Sequence, residues 1–256
     1  MKFIFTGTGT SQGIPVIGCT CEVCKSTDIR DKRLRTSGIL QGNETTLVFD
    51  TGPDFRQQML RHNINVLDAV VFTHQHKDHT AGLDDVRAYN FILRRKMPIY
   101  ADELTRIHLH KEYYYIFEPT DYPALPQLEI NLIDPDKPFE VGEFQLIPIK
   151  IIHGRLPILG YRIGKFAYIT DASFIPEDSL EKLQGLDVLV LNALRKKAHP
   201  SHFTLQQAIE MVAQIQPKAA YFTHISHFMG THASVEAEGL PEGVSLAYDG
   251  LEITID

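Results

Sequence analysis

The residues best suited to chemistry lie together at positions 74–79, which read HQHKDH and follow the pattern HxHxDH. Imidazole and carboxylate side chains together are ligands that zinc, manganese and iron accept in proteins. Two histidines followed by an Asp-His pair supply more donors than a single ion requires. The run therefore predicts a site that holds two adjacent metal ions.

The surrounding sequence predicts a rigid support for these donors. Residues 66–73, VLDAVVFT, have the composition of a buried strand, so the donors lie on the turn that follows a strand. His153, Asp171 and His224 occupy the same kind of position, because each directly follows a strand-like run. One histidine at a strand end is usually structural, but the joint pattern indicates a shared ligand set.

Strand-like runs alternate with helical patterns along the whole chain. The strand-like runs are short and rich in β-branched and aromatic residues; they cover residues 2–6, 45–49, 69–73, 99–101, 145–152, 159–163, 166–170, 188–191, 219–223 and 251–254. The helical patterns cover residues 54–61, 84–95, 103–114, 176–183, 205–214 and 234–238. This interleaving, without an evident linker, predicts an α/β fold with sheets between helices in one domain over residues 1–256.

Composition limits the function classes. The formal net charge is −7, which argues against a broad nucleic-acid surface but allows a small anionic substrate held by metal. No apolar run is long enough to span a membrane, and the N-terminus lacks the pattern of a signal peptide. The three cysteines lie within six positions, which is not a disulfide framework. A cytoplasmic protein is therefore expected.

The donors stand in the order found in the metallo-β-lactamase superfamily, which this chain resembles. The matching markers are Asp50 in FDTG, HxHxDH at 74–79, His153, Asp171 and His224. The resemblance implies an αββα sandwich, with two mixed sheets flanked by helices and a di-metal site at one edge. It implies that one ion is held by His74, His76 and His153 and the other by Asp78, His79 and His224, with Asp171 bridging them. Asp50 would then hydrogen-bond the ligand loop from outside the ligand set.

A second cluster lies at residues 19–24, CTCEVC, and offers three thiolates, one donor short of a tetrahedral zinc site. His227, three residues after His224, could supply the fourth donor. With GTGTSQGIP at 7–15 and THISH at 223–227, this arrangement resembles PhnP-type cyclic phosphodiesterases, in which a structural zinc holds the N-terminal loop beside the active site. The resemblance thus implies a structural zinc bound by Cys19, Cys21, Cys24 and His227.

The same resemblance implies a reaction. It indicates a hydrolase that cleaves a phosphodiester, with a ribose 1,2- or 2′,3′-cyclic phosphate favoured, by a hydroxide that bridges two Zn or Mn ions. Catalytic roles fall to Asp78, Asp171 and His202, and His202 would protonate the leaving oxygen or position the phosphate. The basic run at 195–197 either touches the substrate phosphate or is simply solvated. A small phosphodiester substrate and a homodimer are expected, and an extended nucleic-acid partner is not.

Three different functions stay open. A tRNA 3′-processing endonuclease of the same superfamily also carries HxHxDH, although it normally has an additional arm for tRNA. A lactone or thioester hydrolase is a second possibility, and a non-catalytic metal-binding scaffold is disfavoured because the ligand set is complete. The proline-rich aromatic segment 111–138 predicts irregular structure, either a lid over the substrate or an ordinary long connection.

Overall fold

The computed structural model describes residues 1–118 and 122–255. Its strands are β1 Lys2–Gly7, β2 Ser37–Gln41, β3 Thr46–Phe49, β4 Ala69–Val71, β5 Met97–Ala101, β6 Leu128–Leu132, β7 Phe139–Val141, β8 Phe144–His153, β9 Leu156–Ile163, β10 Phe166–Tyr168, β11 Val188–Asn192, β12 Ala219–Thr223, β13 Val244–Leu246 and β14 Glu252–Thr254. Its α-helices are α1 Glu22–Lys25, α2 Phe55–Arg61, α3 Lys77–Thr80, α4 Arg87–Leu93, α5 Glu103–Glu112, α6 Tyr114–Phe117, α7 Glu177–Glu181, α8 Leu205–Ile215 and α9 His232–Glu238. Short 3₁₀ helices lie at Ile29–Asp31 and Leu83–Val86.

The strands form two seven-stranded sheets with the orders β14-β1-β2-β3-β4-β5-β6 and β13-β12-β11-β10-β9-β8-β7. In the first sheet, β14, β1, β2 and β3 pair antiparallel, and β3, β4, β5 and β6 pair parallel. In the second, β7, β8, β9 and β10 pair antiparallel, and β10, β11, β12 and β13 pair parallel. Both sheets are therefore mixed, and each has its parallel strands on one side.

The central core lies between the two sheets and is aromatic. The rings of Phe3 and Phe166, from opposite sheets, have centroids 4.9 Å apart, and Phe49 stacks on Tyr168 at 4.7 Å. Such pairs contribute about 0.5–1.5 kcal/mol each beyond the area they bury. The outer face of the first sheet packs against α2, α4 and α5, and that of the second against α7, α8 and α9. The predicted αββα sandwich is confirmed.

Each predicted strand and helix has a counterpart, although the pattern at 84–95 is divided between a 3₁₀ helix and α4. The sequence patterns missed β2, β6, β7 and β13 and the four-residue helices α1, α3 and α6. Strand β2 contains Gly38, which weakens its strand pattern. A Cβ there would lie 2.1 Å from Cζ of Phe3, so only glycine allows the aromatic core to close at this point.

The prediction of irregular structure for 111–138 was wrong in part. The described part of the segment contains the end of α5, all of α6 and β6, which pairs parallel with β5. Residues 119–121, including Pro119, lie outside the described residues. Within residues 1–118 and 122–255, no helix has both the length and the apolarity to cross a bilayer.

Candidate metal centre

Asp50, in the turn after β3, holds the HxHxDH loop by buried hydrogen bonds. Asp50 is fully buried and accepts three hydrogen bonds: from the Thr73 backbone N–H at 2.8 Å, from the Thr73 hydroxyl at 2.8 Å and from Nδ1 of His79 at 2.8 Å. The ring therefore has its proton on Nδ1, because a carboxylate only accepts. Nε2 of His79 is buried and has no hydrogen-bond partner among the described residues.

A glycine lets the ligand helix approach that turn. A Cβ on Gly52 would lie 2.2 Å from the Asp78 carbonyl oxygen, so α3 could not pack here beside any larger residue. The Thr51 backbone N–H donates to the His79 carbonyl at 2.8 Å, which joins the two segments directly. The FDTG sequence thus positions the donors through both its carboxylate and its glycine.

The three histidines predicted for the first ion come together. The donor nitrogens of His74, His76 and His153 lie within 4.8 Å of one another, and Nε2 of His74 is 3.0 Å from Nδ1 of His76. Nδ1 of His153 donates to the Ser201 carbonyl at 2.7 Å, which leaves Nε2 as a lone-pair donor. Nδ1 of His74 lies 3.0 Å from the Thr73 hydroxyl, which gives its own proton to Asp50 and so accepts from His74.

Asp171 lies at the middle of the remaining donors. Its Oδ2 is 3.4 Å from Nε2 of His79 and 3.2 Å from Nδ1 of His224, and its Oδ1 is 3.8 Å from Nδ1 of His202. The groups of three that lie within 4.8 Å around it are His74–His79–Asp171 and His153–Asp171–His202. Asp171 therefore belongs to two of the donor groups, and its two carboxylate oxygens approach different histidines.

The donors predicted for the second ion are arranged more loosely. Oδ2 of Asp78 is 3.4 Å from Nε2 of His79, and His224 approaches Asp171 rather than Asp78. His202 lies as close to the donors as several of them lie to one another, with its ring centroid 4.6 Å from His153 and 4.9 Å from His224. Distance alone therefore does not separate His202 from the ligands, although the sequence placed it outside the ligand set.

Three of these residues have left-handed backbones although they are not glycines. The φ angles are 64° for Asp50, 61° for Asp171 and 55° for His224. Each residue lies just beyond a strand, where the left-handed turn bends its side chain toward the centre. Such conformations cost about 1–3 kcal/mol each and persist where the surroundings enforce them, as at functional sites.

The electrostatics of the centre favour a cation. Burial alone would lower the pKa of His79, but the carboxylates of Asp171, Asp78 and Asp50 outweigh it and raise that pKa well above its usual range. Burial opposes the charge of Asp171, yet the surrounding histidines, His224 first, hold its pKa well below its usual range. Burial lowers the pKa of His74 well below its usual range. The buried Nε2 of His79 has no hydrogen-bond partner among the described residues and is an atom that a divalent ion would satisfy, so the residues fit a metal.

The predicted zinc ligands also come together. Nδ1 of His227 lies 3.3, 3.5 and 3.6 Å from the sulfurs of Cys19, Cys21 and Cys24. Tetrahedral zinc with ordinary Zn–S and Zn–N bonds requires a nitrogen–sulfur separation of about 3.5 Å, so the four donors fit this ion. The backbone N–H of Cys24 donates to Cys21 Sγ at 3.5 Å and lowers the pKa of that thiol to about 6.

Some supporting residues were missed because their partners are distant in sequence. The Tyr113 hydroxyl donates to the Thr80 carbonyl at 2.7 Å, and Glu112 pairs with Lys77 of the HxHxDH loop. The start of segment 111–138 therefore packs against the ligand helix α3. In the basic run, Arg195 donates to the carbonyls of Lys197 and Ala198, and Lys196 pairs with Glu238.

Comparisons with known proteins agree with this geometry. A family model described as a beta-lactamase superfamily domain matches residues 45–225. A crystal structure described as a new diphosphatase from the PhnP family is 42% identical, with a TM-score of 0.92 over 98% of this chain and 96% of that one. Zn²⁺-bound PqqB from Methylobacterium extorquens is 19% identical with a TM-score of 0.81 over 100% of both chains, which shows the fold alone.

One curated relative is considerably longer. An octanoyltransferase of Porphyromonas gingivalis (strain ATCC BAA-308 / W83) is 42% identical over 258 residues, which cover 100% of this chain but 52% of that protein. The chain thus spans about half the length of the curated relative it matches.

Proposed function

Because this chain belongs to the metallo-β-lactamase superfamily of hydrolases, we propose that it is a metal-dependent phosphodiesterase whose substrate is a ribose 1,2- or 2′,3′-cyclic phosphate. The observation that carries the proposal is the convergence of His74, His76, His79, His153, Asp171 and His224 at one set of strand ends, with His202 beside them. Similarity to a PhnP-family diphosphatase over 98% of the chain supports chemistry at phosphorus.

The ligand assignment is the one that the resemblance implies, and the clustering of the donors supports it. His74, His76 and His153 would hold one ion, Asp78, His79 and His224 would hold the second, and Asp171 would be the ligand shared by both. Two Zn or Mn ions bound there would supply a water of lowered pKa and Lewis acidity toward the phosphate oxygens. The protein's part is to keep the rings oriented through Asp50, Thr73 and Ser201 and to hold the substrate in line.

We assign His202 to positioning the phosphate or the leaving oxygen by a hydrogen bond. Burial lowers its pKa to about 3, so the imidazole is neutral near pH 7 and has one N–H to donate. An imidazolium general acid would have to be charged in the same buried place, beside His224 and His153. Of the two roles expected from the sequence, the neutral donor is therefore the better supported.

Cleavage of a diphosphate bond is a second candidate, favoured by the name of the 42% identical structure. The two reactions differ in the leaving group. A departing phosphate is stable without a proton, whereas a departing ribose oxygen needs a hydrogen bond or a proton as its charge develops. Loss of His202 should therefore slow cyclic phosphodiester cleavage more than diphosphate cleavage.

Cleavage of tRNA and octanoyl transfer have less support. The basic run that would assist tRNA binding makes contacts within the protein, because Arg195 donates to the Ala198 carbonyl of its own loop and Lys196 pairs with Glu238. Octanoyl transfer is the activity in the name of a relative of which this chain spans 52%, so we do not assign that activity to this metal centre.

Four further expectations remain proposals: a structural zinc, a reducing compartment such as the cytoplasm, a single domain and a homodimer. Of these, the zinc has the geometric support described above.

The deciding experiment is a substrate panel with Zn-loaded and Mn-loaded protein. The panel contains bis-p-nitrophenyl phosphate, a 2′,3′-cyclic nucleotide, a dinucleoside diphosphate and a lactone. We expect cleavage of the phosphodiesters, lost in Asp171→Ala. Turnover of the lactone alone would replace the proposal with an ester hydrolase, and no turnover by fully metallated protein would favour a non-catalytic scaffold. A strong preference for the dinucleoside diphosphate would select the second candidate.

A further inference from the structure

We propose that Thr10 is a positioning residue that fixes the proton of His224 and thereby directs its other nitrogen to the second metal ion. Nε2 of His224 lies 3.1 Å from the Thr10 hydroxyl, while Nδ1 lies 3.2 Å from Oδ2 of Asp171. This inference rests on the proposed role of His224 as a ligand. It adds a residue from the N-terminal loop that neither the ligand pattern nor the comparisons assign.

Three of the four other proposed ligand rings share one arrangement, which His224 would also adopt. Each uses one nitrogen to donate to a protein oxygen: His79 to Asp50 at 2.8 Å, His153 to the Ser201 carbonyl at 2.7 Å and His74 to Thr73 at 3.0 Å. The remaining nitrogen of each ring then has a lone pair toward the centre. Metal-bound histidines usually need such an outer acceptor, which sets the tautomer and the ring orientation.

Two tautomers of His224 are available, and they differ in what they offer an ion. With the proton on Nδ1, the ring donates to Asp171 and has no lone pair on that side. With the proton on Nε2, the ring donates a hydrogen bond to the Thr10 hydroxyl, and the Nδ1 lone pair lies beside Asp171 Oδ2 at 3.2 Å and the Thr170 hydroxyl at 3.4 Å. The backbone φ of His224 is 55°, and its ring is buried. Because the ring is buried, the Thr10 hydroxyl is the hydrogen-bond partner that water would be for an exposed ring.

The hydroxyl is held in place by its own backbone. The Thr10 N–H donates to the Ile225 carbonyl at 3.1 Å, the Ile225 N–H donates to the Thr8 carbonyl at 2.8 Å, and the Gly13 N–H donates to the Thr10 carbonyl at 2.8 Å. The two segments that carry Thr10 and His224 therefore run side by side. Both continue to the zinc cluster, one to Cys19 and the other to His227, which limits their freedom further.

The test compares Thr10→Val, which removes the hydroxyl at nearly constant volume, with Thr10→Ser, which retains it. The control is Thr105→Val, which makes the same substitution on α5, at a buried threonine whose hydroxyl has no hydrogen-bond partner among the described residues. Mn²⁺ is titrated into protein whose Cys cluster is already loaded with zinc, and thermal melting verifies folding. If Thr10→Val fails to fold, Thr10→Ala takes its place.

We expect Thr10→Val to bind one of its two Mn²⁺ ions about 10–100-fold more weakly, with Thr10→Ser and Thr105→Val near the wild type. The rate should recover at high Mn²⁺, with KM for substrate unchanged. Unchanged Mn²⁺ affinity in Thr10→Val, or no rescue by serine, overturns the inference. A raised KM at unchanged metal affinity also overturns it, because Thr10 would then contact substrate. His224→Ala that keeps both ions would instead refute the proposed ligand set.

Discussion

Asp50 and His79 are joined by a hydrogen bond of 2.8 Å between two side chains that are almost completely buried. The same carboxylate oxygen accepts from the Thr73 hydroxyl, which in turn accepts from His74. One carboxylate therefore orients two of the rings in the metal centre, one directly and one through threonine. Neither ring can rotate without leaving a buried donor unpaired.

Asp50→Asn should test this double role. Asparagine tolerates the left-handed backbone at this position but offers an N–H₂ group where one of the accepting oxygens stood. We expect metal affinity about 10–100-fold lower, with the fold retained. Metal titration followed by melting temperature measures both effects. Wild-type metal affinity in this variant would contradict the orienting role.

Asp171→Ala should abolish turnover and lower the content of bound metal, because it removes a carboxylate that lies within 3.4 Å of both His79 and His224. Asp171→Asn serves as the matched variant, since asparagine suits φ of 61° and removes mainly the charge. Metal analysis after desalting and steady-state assays provide the measurements. Two ions retained in Asp171→Ala would exclude Asp171 as the bridge.

His202→Ala should lower kcat about 10²–10³-fold, as loss of a buried hydrogen-bond donor to developing charge does, while metal content remains near the wild type. His199→Ala is the control, because its ring centroid lies 5.0 Å from that of His202, whereas His199 belongs to none of the candidate ligand groups among the described residues. Rates on a cyclic nucleotide and on a dinucleoside diphosphate show whether the loss follows the leaving group. If His202→Ala loses both ions, His202 is a ligand and our division of roles is wrong.

Cys21→Ser should lower the melting temperature before it affects chemistry, because the cluster holds the loop that leads from Thr10 to Cys19. The variant should also lose one zinc ion. To separate the effect of this zinc from that of the catalytic ions, Cys21→Ser is also introduced into the Asp171→Ala protein. The melting temperature of each protein is then measured with and without a chelator. An unchanged melting temperature in both backgrounds would argue against a structural zinc.

Tyr113→Phe should destabilise the ligand helix α3, because the Tyr113 hydroxyl donates a hydrogen bond to Thr80, the last residue of that helix. The substitution leaves the buried Thr80 carbonyl without its 2.7 Å partner, which typically costs about 1–3 kcal/mol. Urea unfolding measures the free energy, and Tyr114→Phe, at an exposed neighbouring position, is the control. Equal stability of the two variants would show that this contact does not support α3.

Parts of this protein could be predicted because their information is local. The HxHxDH run and the CTCEVC run have their donors only a few residues apart, so spacing alone indicates metal chemistry. The alternation of short apolar runs with amphipathic ones similarly predicts sheets between helices, since both patterns repeat within each element, whereas the sandwich was implied by the resemblance. Even His153, Asp171 and His224 were found, because each follows a strand that the pattern reveals.

The partners that orient those donors were decided only by the tertiary structure. The resemblance implied that Asp50 hydrogen-bonds the ligand loop, but Asp50 and His79 are 29 positions apart and Thr10 and His224 are 214 apart, so the spacing in the chain does not identify either pair of atoms. Strand β2 was missed for a related reason, because Gly38 is there to admit the ring of Phe3 from another strand. Residue types determine which atoms can bind metal, whereas the packing of two sheets determines which nitrogen of each ring is left free to do so.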